Sequence, residues 1–194
     1  MEQDDFLRYT LEKLDVLEIR YAIVGSFASG VYGEPRFTQD VDIIVDLQRQ
    51  HIVELCSSFP GPDFYVSREA VAQAVADRRQ FNVIHPASGN KIDFMLSVSD
   101  DPWKAQQLER RRELKFFPDR TACFASPEDV ILGKMAYYKE GGSAKHLRDI
   151  TGIVILRKNS LDLDYVARFA EHLVVTEIWE SVLRRLDESG QNEG

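Results

Sequence analysis

The sequence predicts an α+β chain, a small β-sheet with flanking helices followed by a helical part. Strand-length apolar runs at 21–24, 41–45, 81–84, 92–96 and 121–124 all precede Ser126. Beyond Ser126 the apolar residues recur at helical spacing. One strand, in the run Thr38-Gln39-Asp40-Val41-Asp42-Ile43-Ile44-Val45-Asp46, alternates carboxylates with apolar residues, the pattern of a strand with one buried face.

Each element has a local reason. Residues 4–17 read as an amphipathic helix, with Phe6, Leu7, Leu11, Leu14 and Leu17 on one side. Residues 21–24 are a short buried strand. Gly25-Ser26 turns the chain into a short helix that ends around Gly30 to Gly33, where Glu34-Pro35 breaks it. Residues 48–58 look helical as far as Pro60-Gly61-Pro62. Phe64-Tyr65-Val66 is a brief strand candidate, and Ser67 can cap a helix over 68–79. Strands 81–84 and 92–96 read as an antiparallel hairpin through Pro86-Ala87-Ser88-Gly89-Asn90. A helix is expected over 103–114 and a further strand at 121–124.

Ser126 is the expected N-cap of the next helix, with Pro127 at its first position and Gly141-Gly142 at its end. Further helices are expected near Ser143, near Asp162 and after Thr176. Residues 189–194 carry no packing signal and are expected to be disordered. The chain thus divides into an α/β core over 1–125, a helical subdomain over 126–188 and a tail over 189–194.

Composition excludes several classes. With 194 residues, 44% of them apolar, the chain can bury a proper core. A net charge of −8 argues against broad, non-specific nucleic-acid binding, though not against a local basic groove. Cys56 and Cys123 form no disulfide framework and no C-x-x-C, and read as free thiols. Met1-Glu2-Gln3-Asp4-Asp5 is acidic where a signal peptide would be basic, and no apolar run has the length of a membrane span. The expectation is a cytoplasmic protein without a membrane partner.

Side chains two apart on a strand point to one face, about 6.5 Å apart along it. Asp40 and Asp42 can therefore converge on a hard cation while Val41, Ile43 and Val45 face a core. Asp93, in Lys91-Ile92-Asp93-Phe94-Met95-Leu96, offers a third carboxylate. Acidic oxygens on neighbouring strands suit Mg²⁺-assisted phosphoryl transfer. Read plainly, the same acids are solvated groups on an exposed strand face. Asp46 has the matching parity but sits at the strand end and reads as a turn residue. Gly25 lets backbone approach a phosphate, Ser26 can donate to one, and the helix start offers free N–H groups.

Lys134 and Asp149 lie equally far from the link Glu140-Gly141-Gly142-Ser143, which is short enough to force an antiparallel helical hairpin. Each is about 11 Å from the turn, so the two should sit level on facing helices. Lys134 shares an inward stripe with Ile131, Met135 and Tyr138 and needs a partner or a ligand there. Arg110-Arg111-Arg112, with Lys104 and Lys115, is the main basic concentration. On the expected helix it is a solvated face or a contact for an RNA acceptor.

Gly25-Ser26, Asp40-x-Asp42 and Asp93 together resemble the nucleotidyltransferase fold of the DNA polymerase β superfamily. Arg36-x-Thr38-x-Asp40-x-Asp42, Ser126-Pro127-Glu128-Asp129 ahead of Lys134, and Arg148-Asp149-Ile150 resemble its AbiEii/MenT-like branch, known for toxins of type IV toxin–antitoxin systems. The resemblance covers roughly residues 18–157. It implies a small mixed sheet with flanking helices, followed by a C-terminal helical part. It also implies transfer of an NMP from an NTP to an acceptor, with release of pyrophosphate. Asp40, Asp42 and Asp93 would be catalytic and hold two Mg²⁺ ions. Gly25, Ser26, Arg36, Thr38, Lys134 and Asp149 would bind nucleotide, with Arg36 on triphosphate charge or orienting Asp40. The implied acceptor is tRNA or protein, and the implied partner a cognate antitoxin. Two alternatives stay open: a non-enzymatic nucleotide-binding or toxin–antitoxin partner module, and a small-molecule, antibiotic-type transferase. The second lacks an evident catalytic carboxylate in the helical part unless Glu140 or Asp149 serves.

Overall fold

A computed structural model describes residues 1–98 and 100–191. Its elements are α1 (Gln3–Val16), β1 (Tyr21–Val24), α2 (Gly25–Tyr32), β2 (Asp40–Val45), α3 (Ile52–Ser57), α4 (Arg68–Asp77), β3 (Gln80–His85), β4 (Asn90–Leu96), α5 (Lys104–Gln107), β5 (Arg112–Phe117), β6 (Arg120–Phe124), α6 (Pro127–Gly141), α7 (Ala144–Arg157), α8 (Leu163–His172) and α9 (Thr176–Gln191). The expected α+β class holds, with a sheet first and helices after it. The chain forms two units, Met1–Phe27 with Phe37–Ala125, and Ala28–Arg36 with Ser126–Gly194.

The first unit is built on a mixed sheet of order β3-β4-β2-β1-β6-β5. β2 and β4 are parallel, as are β1 and β6, and the other neighbours are antiparallel. α1 buries Phe6, Leu7, Leu11 and Leu14 and lies against β4. β2 contributes Val41, Ile43 and Val45 to the core, and β4 contributes Ile92 and Phe94. Each such side chain contributes about 1.5–3 kcal/mol by leaving water. The β3–β4 hairpin forms as expected, pairing Phe81 with Phe94 and Val83 with Ile92. The Ser67 hydroxyl accepts from the Ala70 N–H, capping α4. Cys56 and Cys123 are free and half-buried.

Three expectations for this unit are revised. The helix over 103–114 is a single turn, α5, after which the chain enters the sheet as β5. Charged residues of high helix propensity suggested a helix. The stretch Glu113-Leu114-Lys115-Phe116 nevertheless alternates with period two, and Pro118-Asp119 turns it into β6. Pairing with β6 overrides the local preference. The strand candidate at 64–66 reduces to one bridge, Tyr65 with Ile84. The helix expected over 48–58 begins as a 3-10 turn at Arg49–His51 before α3.

The second unit packs α6 to α9 around Val130, Ile131, Leu132, Met135, Ile150, Ile153, Tyr165, Val166, Phe169 and Trp179, all buried. Ser126 caps α6 by accepting from the Asp129 N–H. The carboxylate of Asp129 in turn accepts from Ser126 Oγ and Tyr165 Oη, both at 2.8 Å. Gly142 closes α6 in a left-handed conformation, φ 66°. α9 continues through Gln191, past the start of the expected tail at Ser189, and 192–194 lie outside the described residues. Among the described residues no helix is long and apolar enough to cross a membrane.

Candidate active site

In the register of β2 on β4, Asp40 faces Lys91 and Asp42 faces Asp93. Parity puts all four side chains on one face of the sheet. Their neighbours Val41, Ile43, Ile92 and Phe94 point the other way and are buried. The result is a rectangle of three carboxylates and one ammonium. Lys91 Nζ lies 2.7 Å from Asp93 Oδ2 and 3.8 Å from Asp40 Oδ2. Its hydrogen bond to Asp93 raises the Lys91 pKa against partial desolvation, with help from the charges of Asp93, Asp40 and Asp42. Among the described residues no three His, Cys, Asp or Glu side chains form a ready-made cation site. Lys91 was not foreseen from the sequence. Its parity with Asp93 was the available signal.

Val24 pairs with Asp42 across β1 and β2, which brings the end of β1 beside the acids. Gly25 follows with φ +66°, and a Cβ there would stand 1.9 Å from Asp42 Oδ2. Both facts demand glycine. α2 starts at this point, with half-buried Ser26 in its first turn. Thr38 Oγ1 donates to the Asp40 carbonyl at 3.2 Å. Gln3 Nε2 donates to the carbonyls of Thr38 and Gln39, at 2.9 and 2.8 Å, anchoring the approach to β2. Asp46 pairs instead with Arg20 and Gln48, as a strand-end residue.

In the second unit Lys134 and Asp149 do sit level on α6 and α7. Lys134 Nζ is 2.6 Å from Asp149 Oδ2, and both side chains are buried. Arg36 reaches the same carboxylate through Nε at 3.0 Å and one terminal nitrogen at 3.2 Å. Burial pushes the Asp149 pKa up, but the hydrogen bonds from Arg36 and Lys134 outweigh it and hold the group below its usual range. His146 lies one turn from Asp149 and stacks on Tyr137. Its pKa is lowered by burial and by the charges of Lys134 and Lys145.

The arginine run does not form the helical strip expected for RNA. Arg110 and Arg111 are half-buried, and Arg112 opens β5 on the surface. Arg111 donates to the Leu108 carbonyl, and its proximity partly offsets the rise that burial gives the Cys123 thiol pKa. The neighbouring glutamates are engaged outside the run, Glu109 with Arg20 and Glu113 with Thr121.

The rectangle offers hard oxygen donors of the kind Mg²⁺ takes, and a cation, the Lys91 ammonium, already stands among them. In donor chemistry the three carboxylates suit a divalent ion, and the place beside Asp93 is taken by Lys91.

No protein-family model matches the chain, and no curated protein matches it. Solved structures do. The chain is similar to an antigenic nucleotidyltransferase-like protein from Paracoccidioides brasiliensis, at 24% identity and TM-score 0.51, over 89% of this chain and 88% of that one. It is also similar to ANT(2'')-Ia in complex with adenylyl-2''-tobramycin, at 14% identity and TM-score 0.60, over 87% and 95%. A solution structure of the same antibiotic-resistance factor matches at 14% identity and TM-score 0.52, over 96% and 95%. At these identities the likeness establishes architecture: the chain has the nucleotidyltransferase fold.

Proposed function

We propose that the protein is a Mg²⁺-dependent nucleotidyltransferase that moves an NMP from an NTP to an acceptor hydroxyl and releases pyrophosphate. The observation that carries this reading is the convergence of Asp40, Asp42 and Asp93 on one sheet face, with Gly25 pressed against Asp42. Asp40 and Asp42 are the residues to hold both ions, and Asp93 the third ligand beside the acceptor. Bound Mg²⁺ would neutralise phosphate charge and acidify the acceptor hydroxyl. Asp93 takes up the proton released on attack. The first N–H groups of α2 and the Ser26 hydroxyl receive terminal phosphate oxygens. On the resemblance above, Arg36, Lys134 and Asp149 are the remaining candidates for nucleotide binding. Thr38 braces the backbone of Asp40. Catalysis in this scheme is positioning and charge neutralisation.

Two acceptor classes have support. The Arg36-x-Thr38-x-Asp40-x-Asp42 resemblance favours tRNA or protein, as in a toxin with a cognate antitoxin. The likeness to ANT(2'')-Ia, solved with adenylyl-2''-tobramycin, favours a small polyhydroxylated amine. The second functional reading is a nucleotide-binding or partner module without turnover. It is favoured by the Lys91 ammonium among the acids.

Incubation with each of four α-labelled NTPs and Mg²⁺, with total tRNA, lysate protein or aminoglycosides as acceptors, separates these readings. Label should move to one acceptor class, and Asp42→Asn should reduce transfer at least about 100-fold. A nucleotide-dependent rise in melting temperature without labelling of any acceptor would favour the binding module.

A further inference from the structure

We propose that Lys91 is a built-in counter-cation of the carboxylate site, holding Asp40 and Asp93 until a divalent metal ion displaces its ammonium. This rests on the metal-dependent reading above and adds a residue to it. Lys91 occupies the fourth corner of the rectangle, in register with Asp40 and two residues from Asp93 on the same strand face. Its ammonium touches Asp93 at 2.7 Å and reaches towards Asp40 at 3.8 Å. Three carboxylates on one face repel one another, and a lysine at the fourth corner reduces their net charge from −3 to −2.

Asp93 and Asp40 are disposed around a nitrogen, whereas a metal needs several oxygens at about 2.0–2.1 Å. Metal and ammonium therefore compete for Asp93. The Lys91 side chain is 31% exposed, so its flexible stem has solvent to move into. An ion that binds only when Lys91 has left has its apparent affinity reduced by the fraction of time the lysine is away. Site assembly is then coupled to metal arrival, and released Lys91 becomes a free cation beside the bound ions.

The test measures Mn²⁺ binding to the full chain by calorimetry, without nucleotide, in the wild type and in Lys91→Met, Lys91→Arg and Asp42→Asn. Lys91→Met keeps the stem and removes the charge. It should bind Mn²⁺ at least fivefold more tightly than wild type, while Lys91→Arg does not. Without metal its melting temperature should fall, and Mn²⁺ should recover more of the loss than it adds to wild type. Equal or weaker binding by Lys91→Met, with binding still lost in Asp42→Asn, overturns the counter-cation and leaves the metal site standing. A melting temperature lowered equally with and without Mn²⁺, at unchanged affinity, makes Lys91 only structural and likewise overturns it. Absence of Mn²⁺ binding in both wild type and Lys91→Met overturns this proposal and the metal-dependent reading together.

Discussion

Gly25 is the residue with the least freedom to change. Its φ is +66°, and the space for a Cβ is taken by Asp42 Oδ2 at 1.9 Å. A methyl group there must move the carboxylate or the end of β1. The left-handed backbone alone costs a side chain about 1–3 kcal/mol. Gly25→Ala should therefore lower stability by at least that amount in urea unfolding, and should also reduce metal-dependent nucleotide binding. A variant as stable and as competent as the parent would remove the close packing of Gly25 on Asp42 from the account. The glycine was legible in the sequence as a turn after a strand. Its contact was not, because the pairing of Val24 with Asp42 is tertiary information. Lys91 illustrates the same limit. A lysine next to a strand acid is ordinarily a solvated residue, and only the register of β2 on β4 turns it into the fourth corner of a site.

At the scale of elements, α6 and α7 carry a prediction about buried charge. Asp149 serves two cations, Lys134 at 2.6 Å and Arg36 at 3.0 Å. Removing the anion takes the 2.6 Å partner from a buried lysine, a loss of about 3–5 kcal/mol. Lys134→Met removes a cation but leaves Asp149 paired with Arg36. Asp149→Leu should accordingly destabilise more than Lys134→Met in urea unfolding, and the reverse order would contradict the shared-carboxylate geometry. The pH dependence has a definite sign. The folded pKa of Asp149 is depressed. Its contribution is present above the unfolded carboxylate value, about 3.9, and is lost as pH falls through the lower folded value. The stability gap between wild type and Asp149→Leu should hold from neutral pH down to about pH 4 and narrow below it. The level placement of these two helices could be read from equal spacing to a four-residue link. β5 could not, since its residues favour a helix locally and became a strand through β6. Nor could the grouping of Ala28–Arg36 with the helical unit, a matter of contacts distant in sequence.

Across the whole molecule, charge decides what kind of acceptor can approach. The formal net charge is −8, and the arginine run does not form one face. Arg111 is tied to the Leu108 carbonyl, so its guanidinium has a structural role. Arg112 is exposed on β5, while Arg110 is half-buried. An RNA approaching this surface meets few accessible cations in the arginine run, and each phosphate neutralised on a single strand adds about 0.7 to the salt slope. Fluorescence anisotropy with tRNA should therefore give a shallow dependence of log affinity on log salt, with a slope no steeper than about −3. Arg110→Gln with Arg112→Gln should change tRNA affinity by less than about twofold and leave the nucleotide-dependent thermal shift unchanged. Arg111 stays in place in this variant, because removing it would disturb β5 itself. A slope near −6, or an affinity that collapses in the double variant, would restore the arginine run as an RNA contact and favour tRNA as the acceptor over a small amine or a protein. The expected shallow slope leaves specificity for any macromolecular acceptor to shape and local contacts rather than to a basic surface.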